Sequence, residues 1–600
     1  MLHRPIVALL VCGLFATIAH AQAIKVELRQ TADGGFELYR GGEPYFIKGA
    51  GGDASKEFLV RCGGNSFRTW GVGDQTQAML DEAHRLGLSV AVGFWLGHER
   101  HGFNYDDQQA VARQFEQCRQ AVLKYKDHPA VLMWSIGNEM EGYAEGNNPR
   151  IWAAVQEIAA MCKQLDPNHP TMTVIAEIGG QKVQSINRWC PDIDIIGINS
   201  YGGGPSLAER YRQIGGVKPF IVTEFGPPGT WEVGTNGWGV PIELTSTAKA
   251  DAYRATYEKT ILAEKGKLCL GSYVFAWGNK QEATATWYGL FLPDERRLEA
   301  VDTMTELWSG RRPENRCPTI KPLKVDGFAR VKAGEIVTVS ADIKDPEGDP
   351  LKIEWRLTKD LAQYHTGGDA VAEPPSYPEA IVKQGESTVQ VRMPPHNGGY
   401  FLYCIVSDDH NGAAVANVPL FVSGGEEMTP AGNKATLPFV VYDDGSDMPY
   451  IPSGWMGNHA AIAMNDKHTD NPHSGRHCMQ FQYRAADNWG GIIFQHPAND
   501  WGDAPGGFDL SGASKLTFWA RGEKGGEKVN FVMGVLKGDA KYPDSASAEL
   551  KDVVLTAEWK QYTIDLSGKD LSRIKTGFGW SLGGQGAPVT FYVDDIQYEK

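Results

Sequence analysis

Two short segments carry the residue types that acid–base chemistry needs. In Trp134-Ser135-Ile136-Gly137-Asn138-Glu139 a glutamate follows the apolar run Ala130–Met133, and in Val222-Thr223-Glu224-Phe225-Gly226 a second follows Pro219–Ile221. A glutamate after a strand often only caps the next helix, so neither segment is specific alone. Two acids at the ends of two strands of one barrel are more telling. They can flank a single bond, one protonated as general acid and the other ionised as nucleophile, which is the machinery of glycoside hydrolysis. Other chemistry is weaker. His98-Glu99-Arg100-His101 has a metal-like composition, but its spacing is not HExxH and no third ligand is evident, so it reads as a polar, substrate-facing loop. Cys62, Cys118, Cys162, Cys190, Cys269, Cys317, Cys404 and Cys478 include no CxxC pair and mostly sit in apolar segments. They read as small buried hydrophobes, with room for one or two disulfides in an oxidising compartment.

What must position the two acids is a run of buried strands. Val90–Phe94, Val131–Ile136, Met172–Ala176, Ile193–Ile198, Phe220–Thr223 and Leu268–Phe275 are short apolar runs rather than in-out alternations. Between them lie helical periods: Asp74 is the expected cap of one carrying Met79, Leu80, Ala83 and Leu86, and Pro149 opens another carrying Ile151, Val155, Ile158, Cys162 and Leu165. This alternation over residues 24–312 fits a (β/α)8 barrel, with a doubly wound sheet as the structural rival. Phe36–Lys48 reads as a hairpin around Gly41-Gly42 covering the barrel floor, with Tyr45–Lys48 as the first strand. Glu139 and Glu224 then end the fourth and seventh strands.

The rest of the chain is all β. Residues 320–425 alternate apolar and polar between Pro and Gly, as an Ig/PKD-like sandwich does, and Asp345-Pro346-Glu347-Gly348-Asp349-Pro350 is a solvated turn within it. Residues 435–600 fit a jelly-roll, galactose-binding-like sandwich. Six hundred residues need several cores, and 42% hydrophobic with 22% charged describes folded protein. The formal charge of −15, with no long basic run, excludes nucleic acid as a partner and disfavours polyanions. Residues 1–21 read as a signal peptide, with Arg4 before the apolar run Ile6–Ile18 and Ala19-His20-Ala21 as the cleavage pattern, so the protein is expected in the periplasm or outside the cell, with no membrane span.

Asn138-Glu139 after the fourth strand with Glu224 after the seventh resembles clan A of the glycoside hydrolases, over roughly Tyr45 to Trp308. The resemblance implies a retaining mechanism with Glu224 as nucleophile and Glu139 as acid/base. It places Arg68, in Asn65-Ser66-Phe67-Arg68-Thr69-Trp70-Gly71, in support of the nucleophile, Tyr201 as a donor to it, Asn138 on the sugar 2-hydroxyl and Trp277 as the sugar platform. Glu177 at the barrel mouth, and Trp231 in the long connection after the seventh strand, are expected substrate contacts. Tyr45-Phe46-Ile47-Lys48-Gly49, Asp192–Tyr201 and Tyr288-Gly289-Leu290 are similar both to the family 2 barrel and to β-1,3-glucanosyltransferases. The C-terminal region, through Tyr442-Asp443-Asp444-Gly445, residues 509–520 and Phe591-Tyr592-Val593-Asp594-Asp595-Ile596, resembles carbohydrate-binding modules. There Asp443 and Asp595 are candidates for a structural Ca2+, and Trp455, Trp489, Trp501 and Trp580 for stacking on sugars. No large domain precedes the barrel, so an open cleft and endo-type attack on a polysaccharide or oligosaccharide, β-glucan foremost, are expected, with no cofactor for catalysis. A transglycosylase using the same residues and a non-catalytic glycan-binding protein are the alternatives.

Overall fold

The computed structural model describes residues 22–141, 145–365, 367–369, 371, 373–425, 433–444, 448–538 and 540–600, so the expected signal peptide lies outside the described residues. The chain divides into two compact units, Met1–Glu426 and Glu427–Lys600.

The first unit opens with a small antiparallel sheet of β1 (Val26–Gln30), β2 (Phe36–Arg40) and β3 (Glu43–Pro44). Gly41 and Gly42 turn the chain at φ 62° and 90°, a region closed to most side chains. Eight parallel strands then close into a barrel: β4 (Ile47–Gly51), β5 (Ser66–Arg68), β6 (Ser89–Phe94), β7 (Val131–Asn138), β8 (Thr171–Ala176), β9 (Ile195–Asn199), β10 (Phe220–Glu224) and β11 (Cys269–Phe275). Residues of β6, β7, β9, β10 and β11 are buried throughout, which is why their sequences run apolar without alternating. The first strand begins at Ile47 instead of Tyr45. Tyr45 stays outside the ladder, its hydroxyl donating to Asn65 O at 2.6 Å.

Val26 and Leu38 pack with Ile47, Leu132, Met172, Ile195, Ile221 and Leu270, so the floor of the barrel is plugged and substrate can enter only from the other end. Local signals set the surrounding helices. Asn148 caps the helix Pro149–Leu165 by accepting from Arg150 N, with Pro149 at its first position. The helix Thr76–Arg85 departs from expectation: Gln75, not Asp74, occupies the N-cap and gives no side-chain cap.

The barrel and the following sandwich share a sheet. Arg297–Leu298 of the barrel pairs in parallel with Gly412–Ser423, next to Gly398–Ser407 and Lys352–Lys359, and a second sheet holds Lys324–Asp326, Ile336–Ser340, Thr388–Arg392 and Ile381–Gln384. Val240, Leu292 and Leu298 pack against Phe401, Tyr403 and Ile405. Buried Glu243 accepts from Thr284 at 2.6 Å and Thr286 at 2.8 Å and bonds Lys249 and Asn417, which ties the sandwich to the barrel through groups that are costly to leave unpaired. Asp345 Oδ1 accepts the amides of Glu347, Gly348 and Asp349 at 2.7–2.9 Å, a side-chain-closed turn.

The second unit is a two-sheet sandwich with its own core, in which Phe481, Phe518, Phe531, Phe578, Trp580 and Phe591 interdigitate. Trp580 is therefore core, whereas Trp455, Trp489 and Trp501 are 37%, 48% and 44% exposed. The Asp595 carboxylate bonds His473 Nδ1 at 2.6 Å and Ser474 Oγ at 2.7 Å, Asp443 is exposed and accepts the Asp444 amide, and among the described residues no three His, Cys, Asp or Glu side chains converge as a metal site. The eight described cysteines are buried and unpaired. No helix among the described residues is long and apolar enough to cross a membrane.

Candidate active site

The barrel's open end holds a cleft of about 610 Å3 lined by Asn138, Glu139, Glu177, Tyr201, Glu224 and Trp231 among others. Glu224, the last residue of β10, is buried and receives three donors. Arg68 Nη1 reaches its Oε1 at 3.0 Å, Trp70 Nε1 the same oxygen at 2.9 Å and the Tyr201 hydroxyl its Oε2 at 2.8 Å. Every group presented to Glu224 is a donor, which is the company of a carboxylate acting as acceptor only. Arg68 is itself buried and fixed, donating to Thr223 O at 2.8 Å and Asn138 Oδ1 at 2.5 Å. With that oxygen engaged, the Asn138 amide NH2 is the part left to meet a substrate hydroxyl. Burial and the Glu224 charge push the Tyr201 phenol well above its ordinary pKa, so it stays a proton-bearing donor.

Glu139 stands in different company. It follows β7 with φ 52°, in the left-handed region that non-glycine residues seldom adopt, and that turn aims its side chain into the cleft. Asn199 Nδ2 donates to its Oε1 at 2.6 Å, and Thr223 Oγ1 holds Asn199 by donating to Oδ1 at 2.8 Å. Burial, and then the neighbouring Glu224 charge, raise the Glu139 carboxyl to about 7. A protonated acid thus faces an acceptor-only carboxylate across one cleft, the division of labour that a displacement at an acetal requires.

The remaining expected residues divide. Glu177 lies at the mouth with φ 50°. Burial works against its charge, but Arg210, at 2.8 and 3.1 Å, and the Ser200 hydroxyl outweigh this and hold its carboxyl below the usual range. It is an anchored anion, not a proton donor. Trp231 is 54% exposed and meets Tyr201 edge-on at 6.2 Å, free to stack on a sugar. Trp277 is not a platform: fully buried, it packs outside the barrel wall against Phe58, Phe291 and Trp308, its indole donating to Ser55 O at 3.2 Å. Phe275, two residues earlier, lines the cleft instead.

Several site residues escaped the sequence reading. Trp70 shares Arg68's side of the strand by the two-residue alternation and sits in the same quoted motif. Asn199 lies two residues before Tyr201, again a legible spacing. His98, after β6, is buried between Trp95 and His101 at ring distances of 4.6 and 5.3 Å, and burial with nearby Arg100 and His101 lowers its pKa to about 4, whereas Arg100 of the same segment faces the cleft. The sandwich also enters the site: Gly367, Gly368 and Asp369 line the cleft.

Residues 74–235, which include both glutamates, match the family described as "Glycosyl hydrolases family 2, TIM barrel domain", and residues 439–600 match "Carbohydrate binding domain 30". A putative mannan endo-1,4-β-mannosidase 9 of Oryza sativa subsp. japonica is 26% identical over 220 residues, 30% of this chain and 51% of that protein. A β-glucuronidase of Paenibacillus borealis is 25% identical over 252 residues, 35% of this chain and 40% of its own. The matched regions thus span about half the length of these relatives or less. Among solved structures, the β-D-glucuronidase of Dictyoglomus thermophilum aligns over 48% of this chain and 54% of its own, at 18% identity and a TM-score of 0.38. The barrel thus resembles that of glycosyl hydrolase family 2, and the C-terminal unit resembles a carbohydrate-binding domain.

Proposed function

We propose that this chain is an exported, retaining β-glycoside hydrolase that acts on a β-linked oligosaccharide or polysaccharide, with β-glucan the first substrate to assay. The observation that carries the reading is the contrast between the two glutamates: Glu224 ringed by three donors, Glu139 raised to about 7 in a buried position beside it. In the first step the Glu224 carboxylate attacks the anomeric carbon, the bond from that carbon to the leaving oxygen breaks, and the oxygen takes the Glu139 proton. In the second, the Glu139 carboxylate removes a proton from water, whose oxygen attacks the anomeric carbon and releases Glu224. Asn138, placed beside Glu139, would meet the sugar 2-hydroxyl, a contact that strengthens in the transition state.

The carbohydrate-binding domain supports a glycan substrate and the signal-like leader supports export. The mannosidase and glucuronidase relatives widen the assay to β-mannan and aryl β-glucuronides. The test is a panel of aryl β-glycosides and β-linked polymers, with product configuration read by NMR before mutarotation. A β-configured first product is expected, an inverted product rules out the retaining mechanism, and silence across the panel removes the hydrolase reading.

A further inference from the structure

The cleft is not built by the barrel alone. The sandwich sends its loop around Gly367, Gly368 and Asp369 to the barrel rim, and each end of that loop is tied to a different barrel connection. Thr230, after β10, donates to Tyr364 O at 2.6 Å and meets His365 Nδ1 at 3.0 Å. Glu282, after β11, accepts the Gly368 amide at 3.0 Å. Arg100, after β6, grips the Asp369 carboxylate with both guanidinium nitrogens at 3.0 and 3.2 Å and the Gly367 carbonyl at 3.0 Å, and His101 Nε2 reaches the same carboxylate at 3.1 Å. Gly367 and Gly368, at φ 60° and 89°, make the turn over the rim.

Position in the barrel decides what this loop faces. The closed order places β11 four strands from β7, directly across the ring, and β4 and β5 lie between β11 and β6. Glu139 ends β7 and protonates the leaving oxygen, so the leaving chain departs on the β7 side. The sugar that keeps its anomeric carbon extends the opposite way. The loop's ties after β10 and β11 lie towards that opposite side, its tie after β6 lies next to β7, and β4 and β5 stand between its two ends.

We propose that this sandwich loop is the end wall of the glycon side of the cleft, and that it restricts cleavage to the non-reducing ends of β-linked chains. The inference rests on the hydrolase reading and adds the mode of attack to it. A further sugar beyond the glycon would need the space that Gly367, Gly368 and Asp369 fill, whereas the leaving side carries no such bridge from the sandwich among the described residues. Arg100 and Asp369 are 32% and 50% exposed as side chains, so the latch is a hydrated pair that substitution opens without removing a core group.

The test uses the full chain and a reducing-end-labelled hexasaccharide of whichever β-linkage the panel shows to be cleaved. The ratio of labelled pentamer to shorter labelled fragments in the early digest is the readout, because it is independent of total activity. The wild type should give pentamer in at least about tenfold excess. Asp369→Ala and Arg100→Ala should lower that ratio severalfold as internal cleavage becomes possible. Asp369→Asn, which keeps the side chain's size, is read in the same way should Asp369→Ala not fold by circular dichroism. Early labelled dimers and trimers from the wild type overturn the wall while leaving the hydrolase reading intact. A wild-type ratio retained in all folded variants overturns the assignment to this loop. No cleavage of the hexasaccharide or of any aryl glycoside strikes the hydrolase reading instead.

Discussion

The ends of β10 and β7 present the same side chain in opposite settings. At β10, Arg68, Trp70 and Tyr201 surround Glu224 with donors. At β7, Asn199 gives Glu139 one hydrogen bond, and burial and the facing charge keep its proton on. Two residues of the same type thus acquire different roles through what other strands of the barrel aim at them: β5, three strands round the ring from β10, contributes Arg68, and the segments just past β5 and β9 contribute Trp70 and Tyr201. The lesson is that role is set by the side chains other strands of the ring bring to each glutamate, not by the glutamate's own segment.

The largest effect that would break this comparison is at Glu224. Glu224→Gly should lower turnover of an aryl β-glycoside by roughly 10^5-fold or more, since the residues of such a unit fail together. Azide should restore it by entering the vacated space on the α face, giving an α-glycosyl azide. A β-azide from this variant would reverse the roles of the two glutamates. Glu139→Ala should cost about 10^2- to 10^4-fold on a substrate with a poor leaving group, the usual worth of acid–base assistance, and far less on the first step of an activated one. Here azide should yield the β-glycosyl azide. Equal losses on both substrates would remove Glu139 from proton transfer.

The pH profile sharpens the contrast further. The general acid must carry its proton, so kcat/KM should fall as pH rises through about 7. The same shift bears on stability. The Glu139 carboxyl sits at about 7 when folded against an ordinary value of 4.5, so between those values the folded state holds more protons than the unfolded one and stability declines as pH rises through that window. Glu139→Gln cannot ionise, so its Tm relative to the wild type should be higher at pH 8 than at pH 4. A difference in Tm independent of pH would show that Glu139 is not held protonated.

Much of this site was legible in sequence. Buried parallel strands read as continuous apolar runs, and a glutamate directly after such a run must lie at the barrel mouth, which is how Glu139 and Glu224 stand out. Trp277 misled because an aromatic just past a strand carries no mark of which way it turns, and here it turns outward to Phe58 of the first helix and Trp308 of the last. Asp369 was beyond reach for a different reason. It meets Arg100 across 269 residues of chain, and nothing local to either announces a contact between two domains. Trp70 and Asn199 were readable from alternation and passed over, because motif recognition stops at the residues it already knows.

A smaller effect is expected at Tyr201, where the comparison can be tuned without being broken. Its hydroxyl is one of three donors to Glu224 and the one on Oε2, while Arg68 and Trp70 share Oε1. Tyr201→Phe leaves one carboxylate oxygen without its donor but keeps the ring that packs on Trp231, Phe275 and Tyr288. A hydrogen bond to a charged group is worth about 1.5–3 kcal/mol, so kcat should fall by roughly 10- to 100-fold while KM moves little. If KM rises and kcat holds, Tyr201 contacts the sugar rather than Glu224, and the donor ring at β10 is smaller than the geometry implies.

The least effect is expected from the second unit. It has its own core, built from residues such as Phe518 and Phe578, and the cleft is lined only by residues of the first unit, as far as the described residues go. Removing residues 433–600 should therefore leave kcat/KM on an aryl glycoside within about twofold, because no group that touches the substrate is lost. Activity on an insoluble or polymeric glycan should fall more, since exposed Trp455, Trp489 and Trp501 would no longer raise the local concentration of polymer, an effect that requires no new contact at the cleft. A matching loss on both substrates would mean that the second unit supports the barrel directly. The contrast between β7 and β10 would then depend on more of the chain than the strands that form it.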